Sequence, residues 1–216
     1  MTRSQIALVL HALALIAAMF VLVPKLTAIN GPFGYLLSLA FYWLVFCLPV
    51  IALHVWKQRD GRLFAERLAW RDWFIPGLLL LQVGIIGAVG LVPHTAILTS
   101  HGALLATVVA LINGPLEETA WRGGFMTEFR NKPRLGFWLG WVLFTAWHIP
   151  LTLSHNITFE GGWLALVGGA AALGLLWSWV AWRTGSVFWT SIAHVLTNTL
   201  TFWVLFNANG FVMPHS

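Results

Sequence analysis

Charge is scarce in this chain. Only 9% of its 216 residues are Asp, Glu, Lys or Arg, against roughly 25% in an ordinary soluble domain, which leaves too little polar surface to clothe a water-soluble globule. Cysteine is scarcer still. Cys47 stands alone in mid-span, which excludes an intramolecular disulfide and a thiolate metal cluster and leaves a small core hydrophobe. The only aspartates, Asp60 and Asp72, fall in a basic connector, and neither His-Glu-x-x-His nor Gly-x-Ser-Gly occurs. Zincin, rhomboid-like and aspartyl intramembrane chemistries therefore lack their residues. The net charge of +5 forms no continuous basic stripe, so nucleic acid is excluded as a partner.

What is abundant is apolar sequence, 59% of the chain. Windows near 5–24, 33–56, 73–92, 101–126, 135–153, 162–183 and 187–208 are each long enough to cross a bilayer. The pattern predicts an all-α, polytopic membrane protein with seven transmembrane helices and one membrane domain spanning 1–216. The first window lacks a strongly basic leader, and Val21 to Ile29 offers no small-x-small cleavage site, so it reads as a mature span. Residues 57–72 mix Lys57, Arg59, Arg62, Arg67 and Arg71 with Leu63, Phe64, Leu68 and Trp70, which suits either a helix in the headgroup layer or a basic loop. With a cytoplasmic N-terminus those five cations fall inside together with Arg3, Arg130, Lys132, Arg134 and Arg183, while Lys25 lies outside and Arg122 within a span. The positive-inside rule then sets the orientation, with the C-terminal Phe211 to Ser216 outside and a prokaryotic inner (plasma) membrane as the location.

Three polar clusters interrupt the apolar windows: Glu117, Glu118 and Arg122; Phe144 and His148; His194 and Asn198. Each charge at a helix centre costs about 2.5–3.5 kcal/mol on the insertion scale, so such residues mark function. At about 1.5 Å rise per residue, Glu117 lies roughly 15 Å above the cytoplasmic end of its span, with His148 and His194 roughly 20 and 12 Å along theirs. The clusters thus share a depth toward the cytoplasmic side, as one site would. Glu118 and Arg122, four apart, share a helix face and can pair, while Glu117 turns away and is free to act as a base. His194 and Asn198, also four apart, can aim two donors at one oxygen, as an oxyanion hole requires. Pro150 can bend the helix end beyond His148 and help to admit water. Trp121 and Trp147 are candidates to line a substrate groove. Gly136 with Gly140 and Ala170 with Gly174 have the spacing of close helix packing. A Ser191–His194 pair is set aside, since serine more often serves packing. Taken singly, the glutamate cluster also admits a buried salt bridge, and each histidine suits an interhelical hydrogen bonder better than a catalyst; only together do they indicate a site.

In order and spacing, Glu-Glu-x-x-x-Arg at Glu117, Glu118 and Arg122, Phe-x-x-x-His at Phe144 and His148, and His-x-x-x-Asn at His194 and Asn198 resemble the CPBP family, the CAAX protease and bacteriocin-processing (Abi) intramembrane glutamic endopeptidases. Gly123 and the run Arg183-Thr184-Gly185-Ser186 fit as well, so the resemblance covers about 113–200, within a catalytic core of about 101–208. It implies a protease with no required metal, in which Glu117 and His148 activate water, His194 and Asn198 stabilise the oxyanion, and Glu118 with Arg122 orient the site. It also implies eight spans, one more than the windows supply. The expected substrate is a membrane peptide or protein, lipidated in the CAAX class, with the lipid bilayer the other partner. Two alternatives stay open on the residues: a zinc protease using Glu117, His148 and His194, and a non-enzymatic transporter or immunity protein.

Overall fold

The computed structural model describes residues 1–56 and 62–212, and every regular element among them is helical. Seven long helices follow the seven windows: α1 (Arg3–Ile29), α2 (Gly31–Val55), α3 (Trp70–Ile97), α4 (100–128), α5 (Pro133–Leu153), α6 (Leu164–Thr184) and α7 (Phe188–Ala208). Five of them, α1, α2, α3, α5 and α6, are long and apolar enough to cross a membrane. The other two carry two of the three polar motifs, the third, Phe144 with His148, lying in α5. Glu117, Glu118 and Arg122 in α4, and His194, Asn198 and a series of threonines in α7, dilute the hydropathy of these helices. This is an integral membrane protein whose least lipid-like helices hold its polar residues.

Local sequence sets the boundaries. Thr2 and Gln5 form a reciprocal capping box at the start of α1, with Gln5 N–H donating to Thr2 Oγ1 at 3.2 Å and Thr2 N–H donating to Gln5 Oε1 at 2.9 Å. Asn30 ends α1 and caps α2, its Oδ1 accepting from Phe33 N–H at 3.0 Å. That one-residue link folds α2 tightly back on α1. Gly34 makes the approach possible, since a Cβ there would lie 2.2 Å from the Leu26 carbonyl oxygen. Gly185, at φ +67°, closes α6 in the left-handed conformation that glycine adopts without a Cβ penalty.

The helices alternate in direction, so the bundle has two distinct ends. At one, Gln5 Nε2–H donates to the Glu128 carbonyl and to Asn131 Oδ1, both at 2.8 Å, and Asp72 meets Arg183 at 2.7 Å. At the other, Asn207 Oδ1 accepts from Thr99 Oγ1 at 2.8 Å, and Thr27 Oγ1 accepts from His155 N–H at 2.8 Å. Arg3, Arg62, Arg67, Arg71, Arg130, Lys132, Arg134 and Arg183 gather at the first end, and Lys25 lies toward the second. Of the two readings left open for 57–72, headgroup helix or basic loop, the described part follows the loop. Residues 57–61 lie outside the described residues, as do 213–216 of the C-terminal tail, and 62–72 hold only short turns at Arg62–Phe64 and Trp70–Asp72. The segment is docked on the bundle: Leu63 is buried and its carbonyl accepts from Ser186 Oγ and Val187 N–H, each at 2.8 Å.

Small residues set the closest helix contacts, as their spacing predicts. A Cβ on Gly136 would meet Phe129 Cβ at 2.4 Å, and one on Gly174 would meet Phe144 at 2.8 Å. A paired substitution tests this packing. Gly34→Ala should cost about 1–3 kcal/mol through overpacking and lower the thermal midpoint in detergent, whereas Gly77→Ala, with nothing within 4 Å of its Cβ, should leave it unchanged or slightly higher.

Candidate active site

Pro115 lacks an N–H to continue the α-helical ladder. Just beyond it, α4 passes from α-helix, Ser100–Glu117, into a π-type turn, Glu118–Gly123. Such wide turns recur at functional positions. Here the turn presents two adjacent carboxylates to α7, which runs antiparallel beside it: Gly102 lies against Asn207, Gly114 against Val195, and Glu118 against His194.

His194 is held between the two acids. Its Nδ1 lies 2.9 Å from Glu118 Oε1 and its Nε2 lies 3.3 Å from Glu117 Oε2. Glu118 also meets Arg122 Nη1 at 3.0 Å, the i,i+4 pair that the spacing predicts. The approach is close but off the donor direction, since Arg122 Nη1 and Nε and Glu118 Oε2 are buried without a hydrogen bond among the described residues. Arg122 is anchored instead by Nη2–H donating to the Gly174 carbonyl at 3.2 Å and by its guanidinium lying 4.0 Å over the Phe144 ring. All four charged groups are 3% exposed or less. With His194 protonated the quartet is neutral, which is the condition for keeping two carboxylates inside an apolar bundle.

The remaining motif residues border this quartet. His148 Nδ1 is 2.9 Å from the Phe144 carbonyl. A carbonyl only accepts, so Nδ1 carries the hydrogen and a neutral ring keeps its lone pair on Nε2. The ring is half-buried and within electrostatic range of Glu117 and His194. Asn198, one turn beyond His194, is half-buried, and its side-chain amide makes no hydrogen bond among the described residues. The two glutamates, Arg122, His148 and His194 therefore come together, and Asn198 lies on the same stretch of α7.

Two expectations change. Trp121 and Trp147 are each 1% exposed and belong to the core, so they line no open groove; Trp121 donates to Tyr42 Oη at 2.6 Å and Trp147 to Glu117 Oε1 at 3.3 Å. Nor is Glu117 turned clear of its neighbour's partners, because both glutamates reach His194. Ser191 Oγ is buried without a hydrogen bond, and His194 spends both nitrogens on carboxylates. Among the described residues no group of three His, Cys, Asp or Glu side chains has the arrangement of a metal site.

Sequence spacing did not reveal a second layer. Trp177 of α6 stacks on His194 with centroids 4.3 Å apart and planes at 29°. Gln82 of α3 accepts from Trp177 Nε1–H at 3.3 Å and donates to Thr197 Oγ1 at 2.9 Å. Asn113 accepts from Trp43 Nε1–H at 2.7 Å. A buried glutamine in an apolar window was the one visible signal of this layer.

Residues 99–200, the stretch that contains every motif, match the model of the family described as Type II CAAX prenyl endopeptidase Rce1-like. This agrees with the CPBP resemblance, and the family is one of proteases. No curated protein and no solved structure matches the chain.

The quartet makes a stability prediction. Arg122→Met removes one cation and strands a buried carboxylate, which should cost about 3–5 kcal/mol. Thermal unfolding in detergent should show the double variant Glu118→Gln/Arg122→Met recovering most of that loss; equal instability of single and double variants would refute the charge-balance account.

Proposed function

We propose that this chain, with its Rce1-like segment at 99–200, is an intramembrane glutamic endopeptidase that hydrolyses a peptide bond of a membrane-associated protein or peptide of the CAAX type. The observation that carries the reading is the Glu117 carboxylate, 2% exposed, with His194 Nε2 at one oxygen and His148 within electrostatic range. In this reading Glu117 takes a proton from water, and His148 Nε2 orients that water through its lone pair. The hydroxide adds to the scissile carbonyl. The oxyanion that forms is met by the free amide of Asn198 and by His194 Nε2–H, whose imidazolium is stabilised from behind by Glu118. Glu117 then passes the proton to the leaving amine as the C–N bond breaks, so the sum is peptide plus water giving acid plus amine. Glu118 and Arg122 hold His194 and balance charge. Asn198 and His148, the half-exposed members, mark the side from which substrate approaches.

The cation-rich end faces the cytoplasm in this proposal, following the positive-inside rule, in a prokaryotic plasma membrane. No metal takes part, so chelators should leave turnover unchanged. Loss of activity restored by added zinc would favour a metalloprotease instead.

Purified protein in lipid nanodiscs, given a farnesylated Cys-a-a-X peptide, should lose about 10²–10⁴-fold in turnover on Glu117→Gln, with folding intact. Asn198→Ala should lose about 10²–10³-fold. Mass spectrometry of membrane peptides from cells carrying Glu117→Ala should reveal an accumulated precursor, which identifies the cellular substrate. Wild-type turnover by Glu117→Gln would overturn the assignment, and solute flux without cleavage would indicate a transporter.

A further inference from the structure

Each Glu117 oxygen has its own ring partner. Oε2 faces His194 Nε2 from α7, and Oε1 accepts the indole N–H of Trp147 from α5 at 3.3 Å. Trp147 is fully enclosed, 1% exposed, and its ring lies on Tyr42 of α2 with centroids 4.0 Å apart and planes at 20°. Tyr42 is fixed in turn, since its hydroxyl accepts from Trp121 Nε1–H at 2.6 Å and its ring stacks on Phe46. A column of aromatic rings from α2 and α4 thus sets the position of one N–H, and that N–H touches a carboxylate oxygen.

We propose that Trp147 is a positioning residue for Glu117: its indole N–H, held by the stack on Tyr42, fixes the rotation of the carboxylate so that Oε2, beside His194 Nε2, turns its second lone pair to the attacking water. The proposal rests on Glu117 being the base. With His194 alone, at Oε2, the carboxylate would turn about its terminal bond, a broad and soft torsion, and a general base must stay within hydrogen-bond reach of the proton it removes. Trp147 adjoins His148, so the last turn of α5 supplies both the group that sets the angle of Glu117 and the ring that borders its water. Packing alone would equally explain a buried tryptophan. It does not explain why the single polar atom of the ring is aimed at Glu117.

The test replaces the N–H and keeps the ring. 3-Benzothienylalanine at position 147, introduced by amber suppression, substitutes sulfur for the N–H in a fused ring of nearly the same shape. Turnover is measured on the farnesylated peptide or, where that is not cleaved, on the precursor accumulated by Glu117→Ala cells. The expected result is a kcat lower by about tenfold to a hundredfold, the range for losing a hydrogen bond to a charged group, with KM and thermal midpoint near wild type. Trp147→Phe should lower kcat similarly. Tyr42→Phe, which keeps the ring stack and removes the Trp121 contact, should lower the thermal midpoint with little change in kcat. In a Glu117→Gln background the sulfur analogue should have no further effect on the residual rate. An unchanged kcat for the sulfur analogue overturns the proposal while Glu117→Gln remains inactive; an active Glu117→Gln overturns the assignment of the base instead.

Discussion

Two adjacent carboxylates inside an apolar helix bundle must be balanced by cations within a few ångströms, and the architecture around the centre follows from that need. Arg122 supplies one cation and His194, when protonated, the other. One comes from the same helix as the acids and the other from α7, so charge neutrality and the packing of α4 on α7 are the same event. Neither helix can shift along the other without separating Glu118 from His194. The closeness of the pair is possible because Gly114 leaves no room for a side chain, a Cβ there coming within 2.8 Å of Val195. Gly174 plays the same part for α6, where its bare backbone offers a carbonyl to Arg122.

Around the quartet the bundle grades from charge to ring to lipid. Phe144 lies beneath the guanidinium and Trp177 against the imidazole, so each of these groups meets a π face. Trp147, Tyr42, Phe46 and Trp121 fill the other flank. Aromatic side chains suit this boundary because they bury a large apolar area yet carry one polar atom that needs a partner. The outer helices present Leu, Ile and Val to the hydrocarbon, where they need no specific neighbour.

Much of this was legible in the residues because it is local. The seven helices follow from runs of apolar sequence, and the Glu118–Arg122 pair follows from four-residue spacing in a helix. The gathering of Glu117, His148 and His194 followed from counting residues along alternating spans. What escaped depends on partners far apart in the chain. Among 14 tryptophans, nothing local distinguishes Trp147, whose role appears only when α5 meets α4 and α2. The connector stayed open between headgroup helix and loop because its cations suit either, and its docking rests on distant partners: the Leu63 carbonyl bonds Ser186 and Val187, and Asp72 pairs with Arg183. The shared grip of His194 on both acids escaped because it depends on how closely α7 packs on α4, which spacing within one helix does not show.

One helix shows how little polarity suffices to fix an arrangement in lipid. In the most apolar window of α3 only 11% of residues are buried, against 28–39% for the other four apolar spans. Such a rod is hydrophobic on all sides, and hydrocarbon gives it no reason to prefer one face over another. Gln82 breaks that rotational degeneracy. Its amide must find partners, and Thr197 and Trp177 supply them. Within that apolar stretch Gln82 thus acts as an azimuthal key, beside the Asp72–Arg183 pair at the start of α3, and the same amide is bonded to the ring stacked on His194.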